Sequence, residues 1–271
     1  MIPAIVVLFK PSPDVYQNIK TYLDKVACLY VVDNSPAPSS VLGRLMEQGK
    51  VELLSSSRNI GIAEAYNLGL ESAHRDGYHW LMTMDQDSSF KLEQLECFFE
   101  AFAEVKKDNL SLYAPLHNPK FLSGEGDKPV VAAMSSGSIV NVNTALKVGA
   151  FDTALFIDEV DHEFCLHIQQ KGYAVIQNSR VFVNHSLGKT EENGKKKYSA
   201  TRLYYMTRNH LYIKKKYYHL YPDYFKKRLS YMRRFLIGQI LHHEHKFHRT
   251  VMIFAGIKDC CLKKMGMRYE F

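Results

Sequence analysis

Several features are missing from this 271-residue chain, and each absence closes off a class of protein. No stretch of about 18 uninterrupted apolar residues occurs, so no membrane-spanning helix is expected. The opening run Met1–Phe9 is apolar but short, and it lacks the basic start and cleavage site of a secretory leader. Cysteine is sparse: Cys28, Cys97, Cys165, Cys260 and Cys261 form no C-x-x-C pair. That argues against a zinc site or a disulfide framework and fits a reduced, cytosolic protein with Cys28 and Cys165 buried as thiols. No segment is repeated or low in complexity, and no DNA- or RNA-binding motif is present.

What remains is an ordinary globular composition, 46% hydrophobic and 23% charged. The net charge of +7 is unevenly spread. Residues 189–271 hold 20 Lys+Arg against 6 Asp+Glu, whereas residues 1–188 hold 15 against 22. Such a split gives the C-terminal third a different task from the rest.

Apolar runs and helical periodicity alternate through the first hundred residues. Ala4–Phe9, Cys28–Val32, Val51–Leu54 and Trp80–Met84 read as strands. Helices are expected up to Tyr22, near Val41–Gln48, over Ile62–Ser72 and over Leu92–Lys106. The strands are continuous apolar runs, as strands covered on both faces should be, and the alternation predicts a parallel sheet with helices on both faces. Beyond residue 110 the runs shorten: Leu112–Pro115, Val130–Met134 and Ser138–Val142. A helix follows over Asp161–Lys171, stopped by Gly172, then strand-like Ala174–Ile176 and Val181–Val183. Lys189–Lys197 reads as a mobile, charged loop that could close over a ligand, and the remainder as basic, aromatic helices.

Asp85-Gln86-Asp87 is the most informative stretch. It follows the apolar run Trp80–Met84, so two carboxylates at i and i+2 fall just past a strand's carboxyl end, where open α/β sheets place their chemistry. Such a pair can hold a hard divalent cation against a diphosphate, or simply form a strand-end turn. Asp33, ending the second strand before Asn34, could accept hydrogen bonds from a nucleobase or ribose, or make an Asx-turn ahead of Pro36. Arg58-Asn59-Ile60-Gly61 precedes a helix and suits a phosphate or sugar contact, or a plain turn. Gly137-Ser138 could bring backbone close to a ligand. Asp158-Glu159-Val160-Asp161-His162-Glu163 carries more acids than a helix start needs, and one of them could take a proton from a sugar hydroxyl. His185 follows a strand and could join Asp87 on a metal, or be a polar loop residue. Arg202 and Arg208, with Tyr204 and Tyr205 between them, could face an anionic ligand or a solvated helix surface.

In order and spacing these runs resemble glycosyltransferase family 2, and within it the bacterial rhamnosyltransferases of polysaccharide assembly. The donor half of the resemblance is Val32-Asp33-Asn34-Ser35, Arg58-Asn59-Ile60-Gly61-Ile62-Ala63 with Asn67 and Gly69, and Asp85-Gln86-Asp87-Ser88. The acceptor half includes Gly137-Ser138, Gly149-Ala150-Phe151-Asp152, Leu155-Phe156-Ile157-Asp158 with Asp161, Lys171-Gly172-Tyr173, His185-Ser186-Leu187-Gly188 and Tyr204–Asn209. The likeness implies an α/β GT-A fold: a Rossmann-like nucleotide-binding half with a mixed, mainly parallel sheet (1–110), an acceptor half (111–190), and a basic helical region (191–271). It implies an inverting transfer from a nucleotide sugar, dTDP-L-rhamnose first and a galactofuranosyl or other hexosyl donor second, with Mg²⁺ or Mn²⁺. By that likeness Asp33, Asn34, Arg58, Asn59, Gly61, Asp85, Gln86, Gly137 and Arg208 line the donor, Asp87 and His185 with Asp85 hold the metal, and Asp161 is the base with Asp158 in reserve. Two positions depart from the pattern: His167 stands where many relatives have Arg, and Phe164 where Trp is frequent.

The expected partners are the nucleotide-sugar donor and a saccharide or undecaprenyl-linked acceptor, at the inner face of the cell membrane. Runs such as Lys214-Lys215-Lys216-Tyr217-Tyr218 suit an anionic membrane surface. A nucleic-acid partner is not expected, because the positive charge is confined to the tail while the candidate cleft is acidic.

Overall fold

The computed structural model describes residues 1–185, 189–190 and 196–270. Contacts group them into two compact units, residues 1–152 with 161–186 and residues 153–160 with 187–271.

In the larger unit, strands and helices alternate as β1 (Ala4–Leu8), α1 (Val15–Leu23), β2 (Leu29–Asp33), α2 (Ser40–Met46), β3 (Val51–Ser56), α3 (Ile62–Arg75) and β4 (Trp80–Asp85). There follow β5 (Ser88–Ser89), α4 (Leu92–Glu104), β6 (Leu110–Leu116), β7 (Asp127–Pro129), β8 (Ser138–Asn141), α5 (Val142–Val148), α6 (Val160–Gln170), β9 (Ala174–Phe182) and β10 (Asn184–His185). One eight-stranded sheet runs in the order β3-β2-β1-β4-β8-β6-β9-β7. Strands β3, β2, β1 and β4 are parallel; β8 is antiparallel to both β4 and β6; β9 is parallel to β6; and β7 is antiparallel to β9. Every residue of β1, β2 and β6 is buried, which is why they read as unbroken apolar runs.

The sheet is mixed and mainly parallel, as expected. Details in the second half differ from the sequence expectation. Residues 174–176 and 181–183 belong to one strand, β9, whose middle is kept in place by Asn178: its Oδ1 accepts from the backbone N–H of Arg180 and of Val181. Val130–Met134 is irregular, and the edge strand is instead Asp127–Pro129, where a proline costs no ladder bond. All five cysteines are free thiols.

The core is continuous aliphatic and aromatic packing, with Phe98 stacked on Tyr113 and Trp80 edge-on to Phe102. Helix α3 lies close on β1 because Gly69 has no side chain: a Cβ there would stand 2.4 Å from Ile5 Cδ1.

The smaller unit contains β11 (Lys189–Thr190), paired with β12 (Lys196–Lys197), then α7 (Ala200–Tyr217), α8 (Pro222–Leu241) and α9 (Lys246–Cys261). Of the loop expected over 189–197, the two ends thus form an antiparallel pair, while residues 191–195 lie outside the described residues. Helices α7 and α9 approach so closely that a Cβ on Gly256 would stand 2.6 Å from the Tyr204 carbonyl oxygen. Segment 153–160 belongs here. Phe156, Asp158 and Glu159 all have positive φ (52°, 61° and 64°), a costly conformation for residues with side chains. It is held by donors from α7: the Asn209 amide reaches the carbonyl oxygens of Leu155, Ile157 and Asp158 at 2.8, 2.7 and 3.0 Å.

No described helix is long and apolar enough to cross a membrane.

Gly69→Val is expected to lower unfolding stability by about 1–3 kcal/mol, the usual cost of overpacking a close helix–strand contact. Chemical denaturation measures it, and an unchanged midpoint would show that α3 can move off β1 freely.

Candidate active site

Strands β1, β2, β3, β4, β6 and β9 all point the same way across the sheet, by the parallel pairings and the two antiparallel steps through β8. Their carboxyl ends therefore share one edge. Asp33 ends β2, Asp85 ends β4, His117 follows β6, and β9 leads into His185. Between β1 and β4 the strand order reverses direction, which is where open α/β sheets form their ligand crevice.

A short ribbon then closes the centre. Strand β10 pairs antiparallel with β5, setting His185 opposite Ser88, one residue past Asp87. The His185 Nε2 lies 3.1 Å from Asp87 Oδ1 and 3.7 Å from Asp85 Oδ2. One ligand atom from each of the three side chains falls within 4.8 Å of the others. The His185 ring is nearly enclosed while both carboxylates keep an open side (side-chain exposure 5%, against 29% for Asp85 and 39% for Asp87). Two hard carboxylate oxygens and one imidazole, converging with an open face, fit a hexacoordinate divalent ion such as Mn²⁺ or Mg²⁺. Burial raises the pKa of Asp85; His185 opposes that rise and Asp87 adds to it. A bound cation would reverse the balance by favouring the carboxylate.

The acids are held from behind. The Tyr66 hydroxyl, on α3, donates to Asp85 Oδ1 at 2.9 Å, and the Asp85 backbone N–H donates to Ser136 Oγ at 3.1 Å. Ser136 Oγ in turn donates to Ser88 Oγ at 2.7 Å. The His117 Nε2 meets the Ser136 carbonyl oxygen at 2.7 Å, so that nitrogen must carry the proton. Burial, then the neighbouring His185, pushes the His117 pKa down to about 4. His117 is therefore a neutral donor, its ring edge-on to His185 with centroids 5.7 Å apart. None of Tyr66, His117, Ser136 and Ser88 was expected at the site. His117 was legible by the rule that finds Asp85 and His185, a polar residue just past a strand's carboxyl end; the two serines and Tyr66 carry no comparable signal.

The other expected residues fall into two groups. At the same edge, Asp33 makes the Asx-turn that was its alternative role: Oδ1 accepts from the Ser35 N–H at 3.0 Å and Oδ2 from the Ser39 N–H at 3.3 Å. Asn34 ties the end of β2 to the following loop, its Oδ1 accepting from the Ile60 N–H at 3.1 Å, and Asn59 Oδ1 accepts from the Gly61 N–H at 3.0 Å. Gly61 starts α3 with φ 83°, and Arg58 is exposed beside it. The Gln86 amide is engaged at both ends by the Phe9 backbone, at 2.8 and 3.1 Å, so it fastens the Asp-Gln-Asp turn to β1. Gly137 is required by φ 78° and by Phe90 and Pro115, each 3.0 Å from where a Cβ would stand.

Asp161 opens α6, accepts from the His162 N–H at 2.8 Å, and lies near enough to raise the proton affinity of Asp85, Tyr66 and Cys165. Behind it, Phe164 stacks on Phe151 at 4.1 Å and Phe151 meets Tyr66 at 5.2 Å. His167 is bonded to the Val148 carbonyl oxygen at 2.8 Å.

Two expectations need correcting. Asp158 does not share a helix turn with Asp161, because α6 begins at Val160. Asp158 precedes it in the left-handed region, paired with Arg202 at 3.0 Å. Arg208 has a packing role in the helical unit: fully buried, its guanidinium reaches the carbonyl oxygens of Gly266 at 2.7 Å and Ala154 at 3.4 Å and stays beside Asn209. Of the stretch His185-Ser186-Leu187-Gly188, residues 186–188 lie outside the described residues.

A mixed, mainly parallel sheet with an acid–acid–imidazole cluster at its carboxyl edge has the architecture of the GT-A class. Residues 5–124 match the family model described as glycosyl transferase family 2. The chain is 27% identical over 206 residues to the dTDP-rhamnosyl transferase RfbF of Shigella flexneri, an alignment covering 68% of this chain and 69% of that protein. It also superposes on a crystal structure of GalNAc-T7 with UDP, GalNAc and Mn²⁺, with a TM-score of 0.63 at 14% identity over 97% of this chain. The chain spans 57% of that longer one, and at this identity the likeness shows the fold. Over residues 5–124 the chain is similar to family 2 glycosyltransferases, and over the longer alignment to a protein named as a dTDP-rhamnosyl transferase.

His185→Ala is expected to weaken Mn²⁺ binding at least tenfold in calorimetry while the far-ultraviolet dichroism stays unchanged. Wild-type affinity in that variant would remove His185 from the ligand set.

Proposed function

We propose that this protein transfers L-rhamnose from dTDP-L-rhamnose, with inversion, to a saccharide or undecaprenyl-linked acceptor at the inner face of a bacterial membrane, in polysaccharide assembly. The observation that carries the reading is the cluster of Asp85, Asp87 and His185 at the sheet's carboxyl edge, with Asp161 close enough to perturb Asp85. The choice of rhamnose leans on the likeness to a protein named as a dTDP-rhamnosyl transferase.

The chemistry needs two things on opposite faces of the sugar. The leaving dTDP takes the electron pair of the C1–oxygen bond and must be charge-neutralised, and a divalent ion held by Asp85, Asp87 and His185 would supply that as a Lewis acid. The acceptor hydroxyl oxygen forms the new bond to C1 and must lose its proton to a base as it does so. Asp161 is that base: it is half-buried at the start of α6 and close enough to Asp85 to perturb it, and no second acid is required for a single displacement. Tyr66 orients Asp85 with a charge-assisted hydrogen bond, of a kind worth about 1.5–3 kcal/mol. Neutral His117 steadies the Ser136 loop without adding positive charge near His185. Asp33, buried at the end of β2, is held by donors from Ser35 and Ser39 and would meet a nucleobase N–H only through the lone pairs these leave over. Arg58 and Asn59 follow β3, a strand whose carboxyl end lies at the same edge, and would supply a cation and an amide there.

Asp161→Asn is expected to cut turnover by at least about a hundredfold, the low end of what a general base contributes, with donor affinity little changed. A variant with normal kcat would take the base role from Asp161. For the donor, a thermal-shift panel of nucleotide sugars with and without Mn²⁺ should show its largest stabilisation with dTDP-L-rhamnose plus metal. A larger shift with another hexosyl or galactofuranosyl nucleotide would replace rhamnose.

A further inference from the structure

Helix α9 is built the wrong way round for a helix facing water. Its inner face buries Met252, Ile253 and Gly256, with Arg249 and Asp259 also covered. Its outer face, 180° away on a 3.6-residue period, should then be polar. It carries Phe247, Val251 and Phe254 instead, exposed by 83, 44 and 64%, with exposed Lys258 next on the same line and exposed Leu262 just past the helix end. Spacings of four, three and four residues put Phe247, Val251, Phe254 and Lys258 on one stripe. Single exposed apolar side chains are normal, but a stripe of them on one helix marks a docking surface. In the same unit α8 repeats the pattern: Ile237 and Leu241 are exposed by 55 and 57% on the side that also exposes Arg233 and Arg234.

We propose that the outer face of α9 lies on an anionic lipid bilayer, apolar stripe in the interface and flanking cations on the headgroups. The charge selects the occupant. Residues 189–271 carry 20 Lys+Arg against 6 Asp+Glu, so a second copy of this chain would bring like charge to like, whereas an anionic bilayer attracts the whole region. A nucleic-acid groove would need Lys and Arg all along the stripe, where Phe247, Val251 and Phe254 stand and a single lysine, Lys258, follows. A helix too polar to cross but apolar on one side lies in the plane of the interface. The docking deepens the function proposed above by giving a soluble domain access to a lipid-linked acceptor, and it rests on that reading only for its purpose.

The test uses the full chain and no sugar: sedimentation with vesicles of phosphatidylcholine alone, or with phosphatidylglycerol added. Binding is expected to the anionic vesicles and to fall as salt rises. The double variant Phe247→Ser/Phe254→Ser, at two exposed positions, should bind at least tenfold more weakly with an unchanged melting temperature. Arg233→Glu/Arg234→Glu should weaken binding in the same direction without touching the stripe. The proposal is overturned by equal partition onto neutral vesicles, or by wild-type binding in the double variant. Sedimentation velocity showing a dimer that the double variant dissolves, or retention on DNA in place of vesicles, would overturn it too. Because no donor is present, vesicle binding by a protein that transfers no sugar would sink the transferase reading alone, and transfer without vesicle binding would sink the docking alone.

Discussion

The site depends on strand direction. Six strands of the larger unit run the same way, and a side chain placed just past the carboxyl end of any of them arrives at one edge. Residues 33, 85, 117 and 185 are far apart in the chain, yet the sheet needs no special device to collect them. The one refinement is the ribbon between Ser88–Ser89 and Asn184–His185, which turns a shared edge into an approach of 3.1 Å. Without that pairing His185 would still be at the edge, but not at Asp87.

Placing two carboxylates together in a partly enclosed crevice is unfavourable unless something offsets it. Burial and the neighbouring acids all push Asp85 toward its protonated form. Two groups push back: His185 opposes the rise, and Tyr66 donates a hydrogen bond to the charged form. The Asp85 backbone N–H, donating to Ser136, fixes the peptide behind the carboxylate. These leave the acids oriented but incompletely neutralised, which is the condition in which a divalent ion binds with gain. His117 shows the complementary device. By being buried it is kept uncharged, so it can donate to Ser136 without competing with a cation for the two aspartates.

Much of this was legible in the residues. The first four strands come from short apolar runs, and two of them, β2 and β4, end in the aspartates of the candidate site, a strong local signal. The acceptor half was harder because β7 and the middle of β9 derive their strand character from neighbours and not from composition. In β9 the polar stretch Gln177-Asn178-Ser179 sits mid-strand, carried through by its pairing with β7 and by Asn178's bonds to the following backbone. Side-chain roles were least legible of all. Gln86, Asn34 and Gly137 were read as ligand contacts, and each has a structural task visible only once distant backbone is in place. Tyr66 and Ser136 act across about twenty and fifty positions of sequence, distances at which no periodicity or motif carries information.

The basic tail illustrates why a count of charges does not give a role. Some of its cations are spent inside: Arg208 and Arg249 are buried on backbone carbonyls, and Arg202 is committed to Asp158. Arg208 and Arg202 hold segment 153–160, whose three left-handed residues stand immediately before Asp161 in the chain, while Arg249 holds the Tyr198 and Glu244 carbonyls. A buried guanidinium satisfies several carbonyls at once, a task lysine performs poorly. Accordingly the buried cations of this unit are arginines, while the lysine runs at 214–216 and 226–227 stay at the surface of their helices or close to it. The excess of positive charge that reaches solvent is thus what remains after the fold has taken its share, and it surrounds apolar side chains that the fold leaves uncovered. Charge and apolar surface exposed together make sense at a boundary where water, headgroups and hydrocarbon meet, and not in bulk water alone.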